Sequence, residues 1–538
     1  MKPQAAAAPD TSTAKDVPLE ERDMSPISAE YHQGELFKIM VLFGVLVGVI
    51  AFFYNAAMEL ALHAVWKMIP RQLERIASRS EDGLEILGRW GFLYTIAASV
   101  TLAMGAGAAI RYLGYAGELS KVIDCVHTRG YVPIKQAVPM IVSSLCSITA
   151  GGSVGPEAPL VAVSASVAGW LSINYFKHDI VMVQKCTIIG MSAGFGALFG
   201  VQLGGALFSL EVLNTMGMQF FETAVYSIGA SGICLAVYRG LQGNSFGDIW
   251  KFEPVGPSSA YEIILGVLIG LVAGAVGIFF RALFRGVAKG VKRVGLGNFE
   301  TTSRPILLAA LGGLLVSTLG ILIPPSMFWS ESETGVIAEP GTDLPHIWPQ
   351  GGLFYGLERY PWDTTPMYML AGFAKLLAIA CSVQTGFRGG FIFPLFFAGA
   401  SIGRGLYIIA DHILPEGLVN ASPVLMCMCF ATGLTVAVTR TTLASPLIVA
   451  MLSGSQHIIA PALCASLASL FITRFHRFFE SQQDRADIKF IGNLPPLPRP
   501  GSPAEEEEVD ASTTAPKERE ASALLAPTST AMEEYSAI

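Results

Sequence analysis

Two stretches decide how this chain folds: GGSVGPEAPLV (Gly151–Val161) and GGFIFPLFFAGASIGR (Gly389–Arg404). Each opens on glycines, keeps the spacing G-x-x-x-P (Gly155–Pro159 and Gly390–Pro394) and runs into apolar sequence. Glycine lets another group approach the backbone closely, and proline is tolerated near a helix start, where its missing N–H costs little. The spacing therefore predicts two helices that begin at glycine-rich turns. A first helical turn leaves backbone N–H groups unpaired and carries partial positive charge. Two such ends converging in a low-dielectric interior would hold a small anion without any lysine or arginine, at sites weak enough to let it leave. Gly155, Pro156 and Glu157 of the first turn and Gly390 of the second are the candidates to line that place.

The surroundings of both motifs point to a membrane. Of 538 residues, 52% are apolar and only 14% charged, where a soluble chain carries about 25% charged. The mean hydropathy of +0.51 agrees. This composition describes an all-α, multi-pass integral membrane protein. A net charge of −7 and pI ≈ 5.7 offer no field for nucleic acid. Uncharged stretches recur at 39–58, 187–210, 263–280 and 305–330. Roughly 20 apolar residues cross a bilayer as a helix. The stretch 441–473 is too long for one crossing, and 159–174 and 391–403 are too short. Helices that stop inside the membrane are expected, and these are tolerated only where the freed backbone is buried or lines a wet cavity.

The organisation follows from the same reading. Residues 1–34 and 483–538 are polar, and both are expected to be disordered tails. Between them a transmembrane domain, 35–482, divides into two repeats at about 35–245 and 255–482. A second echo pairs GVQLGGALFSLE with RTTLASPLIVAM, matching Leu203 to Leu443 and Leu207 to Leu447. Repeated halves are a mark of transport folds, whose site lies where broken helices from both halves meet. Gly266, Gly270 and Gly274, like Gly44 and Gly48, are spaced by four and read as close helix packing. The basic cluster from Arg281 to Arg293 is expected on the cytosolic face.

Glu157 stands inside the first turn. A carboxylate in the membrane interior marks an ion path by default, and at a helix N-terminus it takes the position an anion would use. A permeant anion about 4 Å away would be repelled by roughly 4 kcal/mol at an effective dielectric of 20. Glu157 is thus a candidate gate; the bland alternative is an acid that complements the helix dipole. GPEAP alone does not separate the two, and the matching turn in the second half favours the gate.

With these residues in hand, the two stretches resemble signature motifs of the CLC family of chloride channels and anion/proton exchangers, over about residues 35–482. The resemblance implies an inverted-repeat helical fold with tilted and discontinuous helices and a homodimer with one pore per subunit; no cofactor or metal is expected, and the preferred anion is left open, with chloride the default permeant ion by abundance. It also implies that Glu157 gates the path and that the backbone amides of Phe391 and Ile392 help form a central anion site. Three departures qualify it. The family's Gly-Ser-Gly-Ile-Pro motif is replaced by GYAGELS, which puts Gly117, or in a shifted register Tyr115, where the pore serine belongs. Val212 stands at the proton-site position of family exchangers, after Glu211, which reads as a helix-end acid satisfied by backbone amides. Phe479 occupies the position of a tyrosine that donates to the anion, and phenylalanine has no O–H. Loss of the internal glutamate points to passive conduction through a voltage- or pH-influenced channel; an anion/proton exchanger with another proton route is the alternative. With both hydroxyls gone, the pore is expected to hold its anion weakly, through backbone amides.

A membrane-embedded enzyme would need a clustered nucleophile, base or metal set, and the sequence shows none, so no enzymatic role is expected. The tail carries Glu520-x-x-x-Leu524-Leu525 and Tyr535-x-x-Ile538, similar to signals read by clathrin adaptors. These suggest trafficking to a plasma or organelle membrane.

Overall fold

In hydrocarbon every backbone N–H and C=O must find its partner within the chain, and apolar segments do so as helices. The computed structural model describes residues 26–79, 90–114, 117–215, 218, 221–243, 250, 255–256, 259–296, 302, 304–338, 365–413 and 422–482. The first half runs α1 (Pro26–His63), α2 (Ile69–Ala77), α3 (Phe92–Leu113), α4 (Leu119–Thr128), α5 (Ala137–Thr149), α6 (Glu157–Asn174), α7 (Ile180–Phe199), α8 (Gln202–Glu211) and α9 (Ala224–Gln242). The second runs α10 (Ala260–Arg293), α11 (Pro305–Leu322), α12 (Glu331–Ala338), α13 (Thr365–Gln384), α14 (Ile392–Ile413), α15 (Pro423–Thr439), α16 (Ala444–Leu452) and α17 (Ile459–Thr473). Nine helices among the described residues are long and apolar enough to cross a membrane. The chain is a multi-pass integral membrane protein.

The first helix begins at Pro26, inside the stretch expected as a tail. The rest of that tail, the whole of 483–538 with its Glu520, Leu524, Leu525, Tyr535 and Ile538 signals, and Tyr115 lie outside the described residues.

The order of lengths repeats: a long opening helix (α1, α10), a short one (α4, α12), a pair flanking each G-x-x-x-P turn (α5 and α6, α13 and α14), and a short helix near the end (α8, α16). Local details repeat as well. Helix α7 ends on Gly200 at φ 65°, and α15 ends on Arg440 at φ 66°. A left-handed conformation is costly for arginine; here the buried side chain is tied down by Nη2 donating to the Thr473 carbonyl at 2.6 Å. The over-long stretch 441–473 resolves into α16 and α17 with a break between them.

Small residues set the packing. A Cβ on Gly270 would collide with the Ala465 carbonyl, which brings α10 onto α17. A Cβ on Gly44 would sit 2.7 Å from Ile233 Cβ and bring α1 onto α9. The interior is occupied by α7, α15 and the N-terminal parts of α6 and α14, whose residues are buried almost without interruption.

One buried cation serves this frame. Lys375 on α13 is fully enclosed, and its Nζ donates to the carbonyls of Met327 and Phe328 at 2.7 Å each, to that of Pro325 at 3.2 Å and to Ser330 Oγ at 2.7 Å. The Phe328 N–H in turn donates to the Gly151 carbonyl at 3.1 Å. Lys375 thereby fixes the segment before α12 against the turn that leads into α6.

Candidate functional site

The two glycine turns meet. Gly155 N donates to the Gly390 carbonyl at 2.6 Å and Gly390 N donates to the Gly155 carbonyl at 2.8 Å, forming an antiparallel bridge. The two turns thus pair antiparallel, as segments exchanged by a two-fold axis perpendicular to them would. The surrounding bonds repeat the same pairing. Arg388 N donates to Ser147 Oγ at 2.9 Å, and Ser153 N donates to Ser382 Oγ at 3.0 Å. Ser147 and Ser382, like Ser153 and Arg388, are separated in sequence by the same interval as Gly155 and Gly390. Gly151 at φ 83° and Gly386 at φ 94° turn the chain out of α5 and α13 at matching points.

Helices α6 and α14 start from this crossing, with Pro156 as the residue before α6 at φ −73°, where its missing N–H is harmless. Glu157 is fully buried. Its carboxylate crosses from the first half to the second, where Oε1 accepts from the Phe393 N–H of α14 at 3.0 Å. Phe393 directly follows Phe391 and Ile392, whose amides the family resemblance assigns to the anion site. The other oxygen, Oε2, is buried with no hydrogen-bond partner among the described residues. A Cβ on Gly390 would lie 2.6 Å from Oε2, and one on Gly155 would strike the same oxygen. These two glycines make the seat in which the carboxylate rests: a side chain at either position would meet Oε2.

Glu211 offers a contrast. It too reaches from the first half to a helix start in the second, that of α16. Both of its oxygens are occupied: Leu443 N donates at 3.1 Å, Ala444 N at 2.8 Å and Thr442 Oγ1 at 3.2 Å. Glu211 is anchored; Glu157 is held at one atom. Val212, the next residue, is fully buried, and its carbonyl accepts from Gln482 Nε2 at 3.0 Å.

The remaining candidates gather on the Phe391 side of the crossing. Phe479 is buried with its ring 5.9 Å from that of Phe391. Gly117 is buried and stands just before Glu118, the residue that precedes α4. Ser120 Oγ lies 3.1 Å from Ser481 Oγ, which ties the start of α4 to the segment carrying Phe479. Arg285 of α10 pairs with Glu480 at 3.1 Å, so this side of the site faces the basic end of α10.

The serine pair and Arg388 escaped the sequence reading. A signal existed: Cys146-Ser147-Ile148 before Gly151 is echoed by Cys381-Ser382-Val383 before Gly386. It extends the G-x-x-x-P match upstream into both preceding helices.

Comparison with known proteins agrees with this architecture. The model of the voltage gated chloride channel family matches residues 102–474. A chloride/fluoride channel protein of Pseudomonas syringae pv. tomato is 27% identical over 292 residues, 53% of this chain and 57% of that protein. The match thus spans little more than half the length of this relative. A slow cyanobacterial Cl−/H+ antiporter of known structure superposes with a TM-score of 0.64 at 16% identity, covering 82% of this chain and 94% of the other. A CLC-type fluoride/proton antiporter gives 0.59 at 18% identity, covering 84% and 99%.

Proposed function

We propose, from the premise that this chain belongs to the voltage gated chloride channel (CLC) family, that it conducts small halide anions passively along a path at the α6–α14 crossing, with Glu157 as the gate. The observation that carries this reading is the single-atom hold on Glu157. A charge-assisted hydrogen bond contributes about 1.5–3 kcal/mol, so the Glu157 carboxylate can leave Phe393 N at modest cost. Glu211, with three donors on two oxygens, cannot.

The steps follow from charge and geometry. With the carboxylate seated, the positive end of α14 is neutralised and a second anion is repelled by roughly 4 kcal/mol at 4 Å and dielectric 20. When the carboxylate swings away or takes up a proton, the same amide and the room left by Gly155 and Gly390 are free for a halide. Partial charges at helix ends bind it weakly enough for onward movement. Fast permeation needs that weakness.

Passive conduction is supported by Val212, a side chain that binds no proton at the position where family exchangers carry glutamate. A coupled halide/proton exchanger is the second reading, favoured by the likeness to two antiporters of known structure. A homodimer with a pore in each subunit, and chloride or fluoride as the preferred ion, belong to the same proposal. Reconstitution in liposomes tests it. A channel's reversal potential follows the halide gradient alone; a shift with an imposed pH gradient would establish the exchanger instead, and absence of any halide flux would reject both.

A further inference from the structure

The chain holds one full positive charge at the crossing that the helix-dipole picture does not include. Arg388 lies two residues before Gly390, and its side chain is 1% exposed. Its Nη1 stands 2.6 Å from Glu118 Oε1, joining two residues 270 apart in sequence and one from each repeat. The pair is asymmetric: Glu118 is 38% exposed while the guanidinium is enclosed behind it. Glu118 precedes α4 with extended backbone (φ −78°, ψ 173°), the usual conformation of a capping residue, yet its side chain makes no cap to α4. The carboxylate turns to Arg388 instead.

The pair sits between two helix starts. α4 begins directly after Glu118 and α14 four residues after Arg388, so each contributes first-turn amides and the positive end of a dipole. Arg388 cannot drift from this place, because its own N–H is bonded to Ser147 Oγ at 2.9 Å. Enclosing a guanidinium is expensive, and a well-packed apolar pair would hold the two repeats together as firmly. Arginine is the residue suited to binding an anion at such a depth, since its donors form a fixed fork and it keeps its charge. The wetter partner is itself an anion.

We propose that Arg388 is the fixed cation of a second halide station on the Phe391 side of the crossing, and that Glu118 is its displaceable counter-ion. An arriving halide takes the place of the Glu118 carboxylate on the guanidinium, as a halide takes the place of Glu157 on Phe393 N. The path then has two tethered carboxylates, one held by an amide and one by a full charge. This inference rests on the anion-path reading above.

The test compares opposite deletions in the full-length protein, with halide affinity read by calorimetric titration of chloride and bromide and by flux from proteoliposomes. E118Q removes the competitor and should tighten halide binding about tenfold, equivalent to ~1.4 kcal/mol. R388Q removes the attractor and should weaken it by at least the same factor, with R388K recovering part of the loss. A staple between repeats predicts something else: both deletions lower the melting temperature and move affinity in the same direction or not at all. Unchanged or weaker binding in monodisperse E118Q overturns the inference even if R388Q fails to fold. If the wild-type protein neither binds nor conducts halide, the function proposed above falls first and takes this inference with it.

Discussion

Removing the Glu157 carboxylate is the most direct perturbation of the site. In the resting arrangement the carboxylate holds the Phe393 N–H at 3.0 Å and fills the space between Gly155 and Gly390. A halide must first break that bond, worth about 1.5–3 kcal/mol, because repulsion forbids both anions in the seat together. Glu157→Ala lifts this competition, so apparent halide affinity should rise roughly 10- to 100-fold. Glu157→Gln, with its charge gone but its volume kept, should imitate the protonated side chain. Flux from proteoliposomes, followed while the external medium is acidified, is the assay. Wild-type flux should grow with acidity, because a proton removes the charge that pins the carboxylate and repels the halide. Glu157→Ala flux should be continuous and flat over the same range. A Glu157→Ala protein that remained gated and acid-sensitive, with unaltered halide affinity, would refute the role given to this side chain.

Further expectations concern the seat and its frame. Gly155→Ala places a methyl group where Glu157 Oε2 now rests; the protein should assemble, but flux should fall at least about tenfold as the seat closes. Normal flux in that variant would show that the anion passes elsewhere. Phe479→Tyr adds a hydroxyl beside the Phe391 ring and should tighten halide binding by about 0.5–1.5 kcal/mol in calorimetry; an unmoved constant would place position 479 off the path. Lys375→Met strips the donor from the Met327 and Phe328 carbonyls and from Ser330. Stability in detergent should drop by about 3 kcal/mol or more, visible as a lower melting temperature, and a melting curve like the wild type's would contradict the bracing role of Lys375.

Much of this could be read along the chain because it depends on local spacing. Membrane residence follows from composition, helix breaks from runs too long or too short for one crossing, and the two helix starts from G-x-x-x-P. Glu157 stood out because a carboxylate inside an apolar stretch has few innocent explanations. The glycines at 44, 48, 266 and 270 were legible as packing positions, since only small residues let helix backbones touch. The boundary of α1 was not: Pro26 to Gly34 is polar enough to read as tail, yet it continues the first helix.

What could not be read is every contact that joins the halves. Ser147 to Arg388, Ser382 to Ser153 and Glu118 to Arg388 link residues hundreds of positions apart, and each residue taken alone has an ordinary local reading. The choice of Phe393 as the donor to Glu157 is of the same kind, decided by how far α6 reaches across α14. Two positive helix ends and the interior carboxylates Glu157 and Glu211 were legible along the chain, because periodicity, backbone restrictions at Gly and Pro, and hydropathy act over a few residues. It took the folded chain to show that those ends meet in one antiparallel bridge, that Glu157 is held at a single atom while Glu211 is held at two, and that an enclosed arginine stands beside them. Hydrogen bonds and charge pairs depend on ångström-scale separation in space, and separation in space is set by the packing of the whole chain.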